Sequence, residues 1–360
     1  MNGKPEQTSE SGNGYHDKPK LTIAQQIAHL EAKGVTFDRY SKERAAAYLS
    51  DECDFYELTS YRKLFAKRQG GKRNGEYANL DFAQLVIFAE LDEMLREVLF
   101  VMTRHIEHSC KVDLKRNISE RNDEDGYAIV ADYMASLTPK SRSYREAELE
   151  RNGRNKYTKA VYEKYEKRMP SWVFLELVPF GTLVDFIRFC GARWDDKDFE
   201  QSHYDLKKVK SVRNCAAHGS CIINTFAEGA NSRRTTSRKT LEAVAKLGLS
   251  KPTRQKWLRN AAAQEIAITL VRYAQDVPSC SARKRDAEKL RGFFNAVEGA
   301  GDLLPKTGPD ATAAAAINFI RSLTKSLGLL DLRQIAKPSG FRGGMVKAKL
   351  PYFFCPKSGL

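Results

Sequence analysis

Residues 81–115 read DFAQLVIFAELDEMLREVLFVMTRHIEHSCKVDLK, and they decide the fold class. Phe88, Leu91, Leu95, Leu99, Met102 and Ile106 recur every three or four positions, which makes one apolar stripe along a long helix. At about 100° per residue, Arg104, Glu107 and Lys111 fall on the opposite side. A solvated face accounts for them, with a Glu107–Lys111 pair at i, i+4 contributing about a few tenths of a kcal/mol. The alternative is that this polar face lines a site.

Working outward, the same helical spacing returns on both sides. In LTIAQQIAHLEAKGV, Thr22 can cap a helix carrying Ile23, Ile27 and Leu30, and Gly34 can end it. Asp38 to Leu49 repeats the style. The aromatics Phe55, Tyr56, Tyr61 and Phe65 that follow read as helix–helix packing rather than as a stacking platform. Residues 116–168 are highly charged and read as a surface connection with one polar helix. RMPSWVFLELVPFGTLVDFIRFC then turns apolar, with Pro170 and Pro179 as punctuation, Gly181-Thr182 opening a helix and Trp172 as a packing anchor. Leu206, Val209, Val212 and Ala216 trace a further stripe that leaves Lys207, Lys208, Lys210 and Arg213 off it. Ile266, Leu270 and Tyr273, then Leu290, Phe293, Phe294 and Val297, predict two more helices, and Ala313 to Leu330 a last one. Strand alternation of any length is missing, so the fold is expected to be all-α.

The expected organisation is a disordered tail over 1–18, an N-terminal helical segment over 19–80, and a main helical domain over 81–304 with a basic insertion at 228–260. A linker, a helix and a tail fill 305–360.

A formal charge of +15 costs self-repulsion and favours a polyanionic partner, nucleic acid first. Seven cysteines, an odd number without a CxxC pair, indicate neither a disulfide framework nor a zinc site. The opening MNGKPEQTSESGNG lacks the apolar core of a signal peptide. Since every stretch of eighteen residues carries charge, a membrane span is not expected. These features together predict a cytoplasmic protein, without metal or other cofactor.

Chemistry concentrates in Arg213-Asn214-Cys215-Ala216-Ala217-His218. Arginine offers a permanent forked cation that fits a phosphate. Histidine moves protons near neutral pH. Asparagine orients a ligand or caps a helix. On a regular helix, five residues separate two side chains by about 140° around the axis and roughly 7.5 Å along it. Arg213 and His218 therefore converge only if the helix breaks between them, or if a second copy supplies the partner group across an isologous contact. A surface arginine and a histidine satisfied at a helix end would give the same spacing.

From Arg233 to Arg259 there are nine Lys or Arg against one Glu. Arg233, Arg234, Arg238, Lys239, Lys251, Arg254 and Lys256 suit phosphate contact in an RNA-binding segment, although a solvated insertion has the same composition. A helix-turn-helix reading of 241–257, as in a DNA-binding regulator, rests on a short pattern.

In chain order, LTIAQQIAHLEAKGVTF, YRKLF, LDEMLREVLFVMTRHIEHSCK, PSWVFLELVPFGTLVDFI and VRNCAAHGSCIIN resemble the abortive-infection family of bacterial phage-defence proteins, the AbiD and AbiF kind, across residues 20–300. The resemblance implies a HEPN-like helical bundle with additional N- and C-terminal helices. It implies a metal-independent endoribonuclease whose Arg-x4-6-His motif is Arg213 and His218, with Asn214 beside them. It further implies two motifs at a homodimer interface, and Glu107 and Lys111 as the supporting E-x3-K pair. Some relatives are controlled by a small structured non-coding RNA. Gly219 stands where many members carry a second histidine. The expected reaction is attack of a ribose 2′-OH on its own phosphodiester, with His218 as acid or base and Arg213 on the phosphoryl oxygens. The alternative is a non-catalytic RNA-binding protein in a toxin–antitoxin or regulatory complex.

Overall fold

The computed structural model describes residues 20–227 and 238–330. The expected tail over 1–18, Arg233, Arg234 and the Gly- and Lys-containing C-terminal stretch lie outside them.

Local capping sets where the first helices begin. Thr22 and Gln25 form a reciprocal capping box ahead of α1 (Ile23–Ala32), and Gly34 ends it at φ +84°. After β1 (Val35–Thr36) comes α2 (Lys42–Asp51), which starts at the Ser41 cap rather than near Asp38. Asp54 caps α3 (Phe55–Ser60), and a 3₁₀ turn spans Tyr61–Leu64. β2 (Leu80–Asp81) pairs in parallel with β1 over two residues each. Its last residue, Asp81, caps α4 (Phe82–Glu120) and also accepts from the Thr36 hydroxyl at 2.8 Å.

The apolar stripe of α4 is buried along its whole predicted length, with Phe88, Leu91, Leu95, Leu99, Met102 and Ile106 all at most 3 % exposed. It continues through Cys110, Leu114 and Ile118, and the helix itself runs to Glu120, five residues past the expected end at Lys115. Each such side chain contributes about 1.5–3 kcal/mol on burial. α4 is thereby the axis of the molecule, and the helices that build the site pack on it.

Residues 116–168 hold more structure than expected: α5 (Ala128–Ser136), α6 (Pro139–Glu150) and α7 (Lys159–Tyr165). Pro170 and Pro179 occupy the N-cap positions of α8 (Ser171–Leu177) and α9 (Phe180–Arg193), so the second of these opens one residue before Gly181. Trp172 is 45 % exposed and meets Tyr127 edge-on. Asp196 caps α10 (Lys197–Ala217), in which Leu206, Val209 and Val212 are buried as expected. Lys208, expected off that stripe, is buried as well. Then follow α11 (Arg238–Ala245), α12 (Lys251–Arg259), α13 (Ala261–Asp276), α14 (Ser281–Gly299) and α15 (Thr312–Ser326). Helices account for nearly all regular structure among the described residues, and the fold is all-α.

α10 lies against α9, α4 and α13. The approach of α9 is possible because residue 191 is glycine: a Cβ there would overlap the backbone of Glu200. Backbone cannot yield as a flexible side chain does, so Gly191→Ala is expected to destabilise by about 1–3 kcal/mol. Equilibrium urea unfolding of the variant checks this.

Candidate active site

α10 remains regular from Lys197 to Ala217, which carries Arg213 and Asn214 well inside it and puts His218 at the C-cap. The chain then reverses in a Schellman turn. Gly219 sits at φ +68°, its amide donates to Ala216 O at 3.4 Å, and the Ser220 amide donates to Cys215 O at 3.0 Å. A left-handed residue is required at this point, and glycine takes it without strain. That requirement is the physical reason a glycine suits position 219, and it leaves His218 as the last ring before the turn.

The side chains of the hexapeptide differ in exposure. His218 is exposed and Arg213 half-buried. The Arg213 Nη1 donates to Asn214 Oδ1 at 2.8 Å, so Asn214 steers the guanidinium and does not cap a helix. The Asn214 carbonyl accepts from the His218 amide at 3.0 Å, the last regular turn of α10. Because the helix does not break before Ala217, Arg213 and His218 of one chain leave it about 140° apart around the axis. Burial pushes the Cys215 thiol up to about 11, which keeps it protonated at neutral pH and unsuited to act as a nucleophile.

What holds this end of α10 is a pair the sequence reading passed over, Asp92 and Arg96 of α4. Asp92 is fully buried. Its carboxylate accepts from the amides of Ile222 (2.9 Å) and Ile223 (2.6 Å), from the Tyr61 hydroxyl (3.0 Å) and from Arg96 Nη1 (2.8 Å). Burial raises this carboxyl above its ordinary range, and the Ile223 amide, Arg96, the Ile222 amide and Tyr61 pull it back. Arg96 also donates to Gly219 O at 3.3 Å and to Glu57 Oε1 at 2.9 Å. The loop carrying His218 is thus clamped from below by a satisfied ionic network. An acid and a base at i, i+4 in LDEMLR was the available signal.

Glu107 and Lys111 lie elsewhere on α4. They are half-buried, not solvated, and pair with one another at 3.8 Å. Glu107 is eleven residues beyond Arg96, about 16 Å along the helix axis. Their surroundings include α8, where Lys115 donates to Glu176 at 2.5 Å and holds that carboxyl below its ordinary range, with lesser help from Lys111 and His108.

The last part of the basic segment, at Asn260, reaches the turn that follows the motif. Arg238 and Lys239 open α11, and a five-residue turn with Gly248 at φ +73° leads to α12. On α12, Lys251 and Lys256 are exposed and Arg254 is half-buried. Lys256 Nζ lies 5.1 Å over the Trp257 ring, and that buried ring stacks on Phe319 of α15. Just past α12, Asn260 Nδ2 donates to Thr225 O at 3.0 Å. The basic helix therefore ends against the 3₁₀ turn Ile223–Phe226 that follows the motif.

Among the described residues, no group of three or more His, Cys, Asp or Glu is arranged to hold a metal ion, and no helix is long and apolar enough to cross a membrane. A family model described as Abi-like protein matches residues 48–224. The match runs from the end of α2 to just past the motif and takes in Asp92, Arg96, Glu107, Lys111, Arg213, Asn214 and His218. It stops before the basic segment. Neither a curated protein nor a solved structure matches the chain.

Proposed function

Residues 48–224 belong to the Abi-like family, and from that premise we propose that this chain is a phage-defence protein acting in the cytoplasm as a HEPN-type, metal-independent endoribonuclease. The observation that carries the reading is an exposed imidazole at the end of a regular helix, one turn beyond an asparagine-steered arginine, on a loop that a buried carboxylate holds in place.

In the proposed reaction the ribose 2′-oxygen attacks the adjacent phosphorus, and the bond to the 5′-oxygen breaks. His218 takes the 2′ proton or delivers one to the departing 5′-oxygen. Arg213 stabilises charge on the non-bridging oxygens, where a forked cation is suited to two acceptors. One imidazole serves one of the two proton transfers, and the same residue of a second copy supplies the other. The divergence of Arg213 and His218 within one chain supports a homodimer in which both motifs face one phosphodiester. The nearby carboxylates, Asp92 and Glu57, are committed to Arg96 and to backbone amides, which supports a route that does not use them as metal ligands. Lys251, Arg254 and Lys256 would hold the phosphates flanking the cut. Glu107 and Lys111 would support the motif helix at a distance.

That same divergence favours one second reading, a non-catalytic RNA-binding protein that holds a structured small non-coding RNA in a regulatory or toxin–antitoxin complex. The two readings separate on the purified wild type. Incubated with single-stranded RNA, it is expected to yield 2′,3′-cyclic phosphate and 5′-OH ends, equally with and without chelator. Ends bearing a 3′-OH, or activity lost to chelator, would overturn the mechanism. A defined co-purifying RNA that stays intact would favour the binding role.

A further inference from the structure

Between α1 and α3 lies an open pocket of about 720 Å³, within the range of ligand sites. Its walls include Leu21, His29, Phe55, Tyr56, Arg62 and Lys63, and none of its lining residues is acidic. Two features there stand out. Tyr56 is 87 % exposed, whereas Tyr61 and Phe65 from the same aromatic cluster are buried in the core. The expectation that all four aromatics pack between helices fails at this one. Phe55, edge-on to His29 at a 6.1 Å centroid distance, forms the inner wall.

The second feature is Arg62. Its Nε donates to Thr59 O at 3.0 Å, and among the described residues it makes no ion pair with a carboxylate. Burial lowers the guanidinium below its ordinary value and Tyr77 offsets part of that, leaving a half-buried cation without a carboxylate partner among the described residues. Such a group attracts an anion, and Lys63 at the rim adds a second positive charge. Planar rings beside uncompensated cations fit a nucleotide, the base on the rings and the phosphate on the cations.

The pocket adjoins the candidate active site. Ser60 lines it, and the Ser60 hydroxyl donates to Cys221 Sγ at 3.1 Å. Cys221 is three residues past His218, a backbone span of at most roughly 11 Å. Glu57, next to Tyr56, is the residue that pairs with Arg96, which in turn holds Gly219.

We propose that this pocket is a nucleotide subsite, in which an unpaired base of the RNA stacks on Tyr56 and Phe55 while Arg62 and Lys63 hold its phosphate. The inference rests on the RNA-directed reading of Arg213 and His218, and it adds that the strand is single where it leaves the motif. A paired base cannot enter, so duplex RNA is not a ligand here.

The test uses the full chain carrying His218→Ala, so that bound RNA is not consumed. A short single-stranded RNA bearing 2-aminopurine at successive positions reports stacking as quenching. One position is expected to quench on binding. Tyr56→Ala should abolish that quenching and weaken binding roughly 5- to 150-fold, the range for one stacked base. Tyr56→Trp should retain both. Arg62→Ala should weaken binding and lower the salt slope by about 0.7, one phosphate of a single strand. Tyr56 is exposed, so its variants should keep the parent's circular dichroism and unfolding midpoint. Unchanged affinity and quenching in Tyr56→Ala would overturn the subsite, as would equal competition by duplex RNA or by an acidic peptide. Failure of the nuclease reading looks different: the wild type would not cut RNA, whatever Tyr56→Ala does to binding.

Discussion

Asp92→Ala is expected to lower the free energy of unfolding by about 3–5 kcal/mol, the cost of breaking a buried ion pair by removing one partner. The size follows from what the substitution orphans. Arg96, whose side chain is 12 % exposed, would keep Glu57 but lose its buried counter-charge. The amides of Ile222 and Ile223 and the hydroxyl of Tyr61 would lose their acceptor inside the core. Each unsatisfied donor costs about 1–3 kcal/mol. Water entering the vacated space offsets part of the sum and keeps the total near the ion-pair figure. Asp92→Asn retains the shape and one acceptor oxygen, and should fall between wild type and Asp92→Ala. Urea unfolding of the three proteins measures the differences. A loss under about 1 kcal/mol for Asp92→Ala would mean the loop after His218 is held by something other than this network.

That network also marks where the sequence stopped being legible. The stripe from Phe88 to Ile106 was readable because burial recurs with the helical period, and the Thr22 box and Gly34 because caps are local. Asp92 interrupts no pattern: flanked by Leu91 and Leu95, it reads as one more polar position on a helix face. Its amide partners lie 130 and 131 residues away, a separation invisible to spacing arguments. Residues 116–168 hold three helices where one was expected, because charged residues surround their short apolar runs. The aromatics Tyr56 and Tyr61 looked alike in sequence. Five residues on a turn that tightens after Ser60 put one ring in solvent and the other beside Asp92. Of the candidate site, Arg213, Asn214 and His218 stand out in the sequence by residue type alone. At Gly219 the structure adds the Schellman geometry that requires a glycine.

The second large effect is expected at His218. A positioned proton donor or acceptor contributes typically about 10²–10⁴-fold to rate, and an exposed C-cap ring does so without bearing on stability. His218→Ala removes no buried contact: the backbone bond to Asn214 O is kept, and Gly219 still closes the helix. The exposed cations of α12, Lys251 and Lys256, are untouched. Loss of cleavage should therefore come with unchanged unfolding and near-unchanged RNA affinity, a separation that a structural role for the ring would not produce. The deciding measurement takes single-turnover cleavage and equilibrium binding of the same single-stranded RNA, on wild type and His218→Ala prepared side by side. A drop of about 10²–10⁴ in cleavage at near-equal Kd is the predicted result. Cleavage by His218→Ala at the wild-type rate would contradict the assignment of α10's end as the place where RNA is cut.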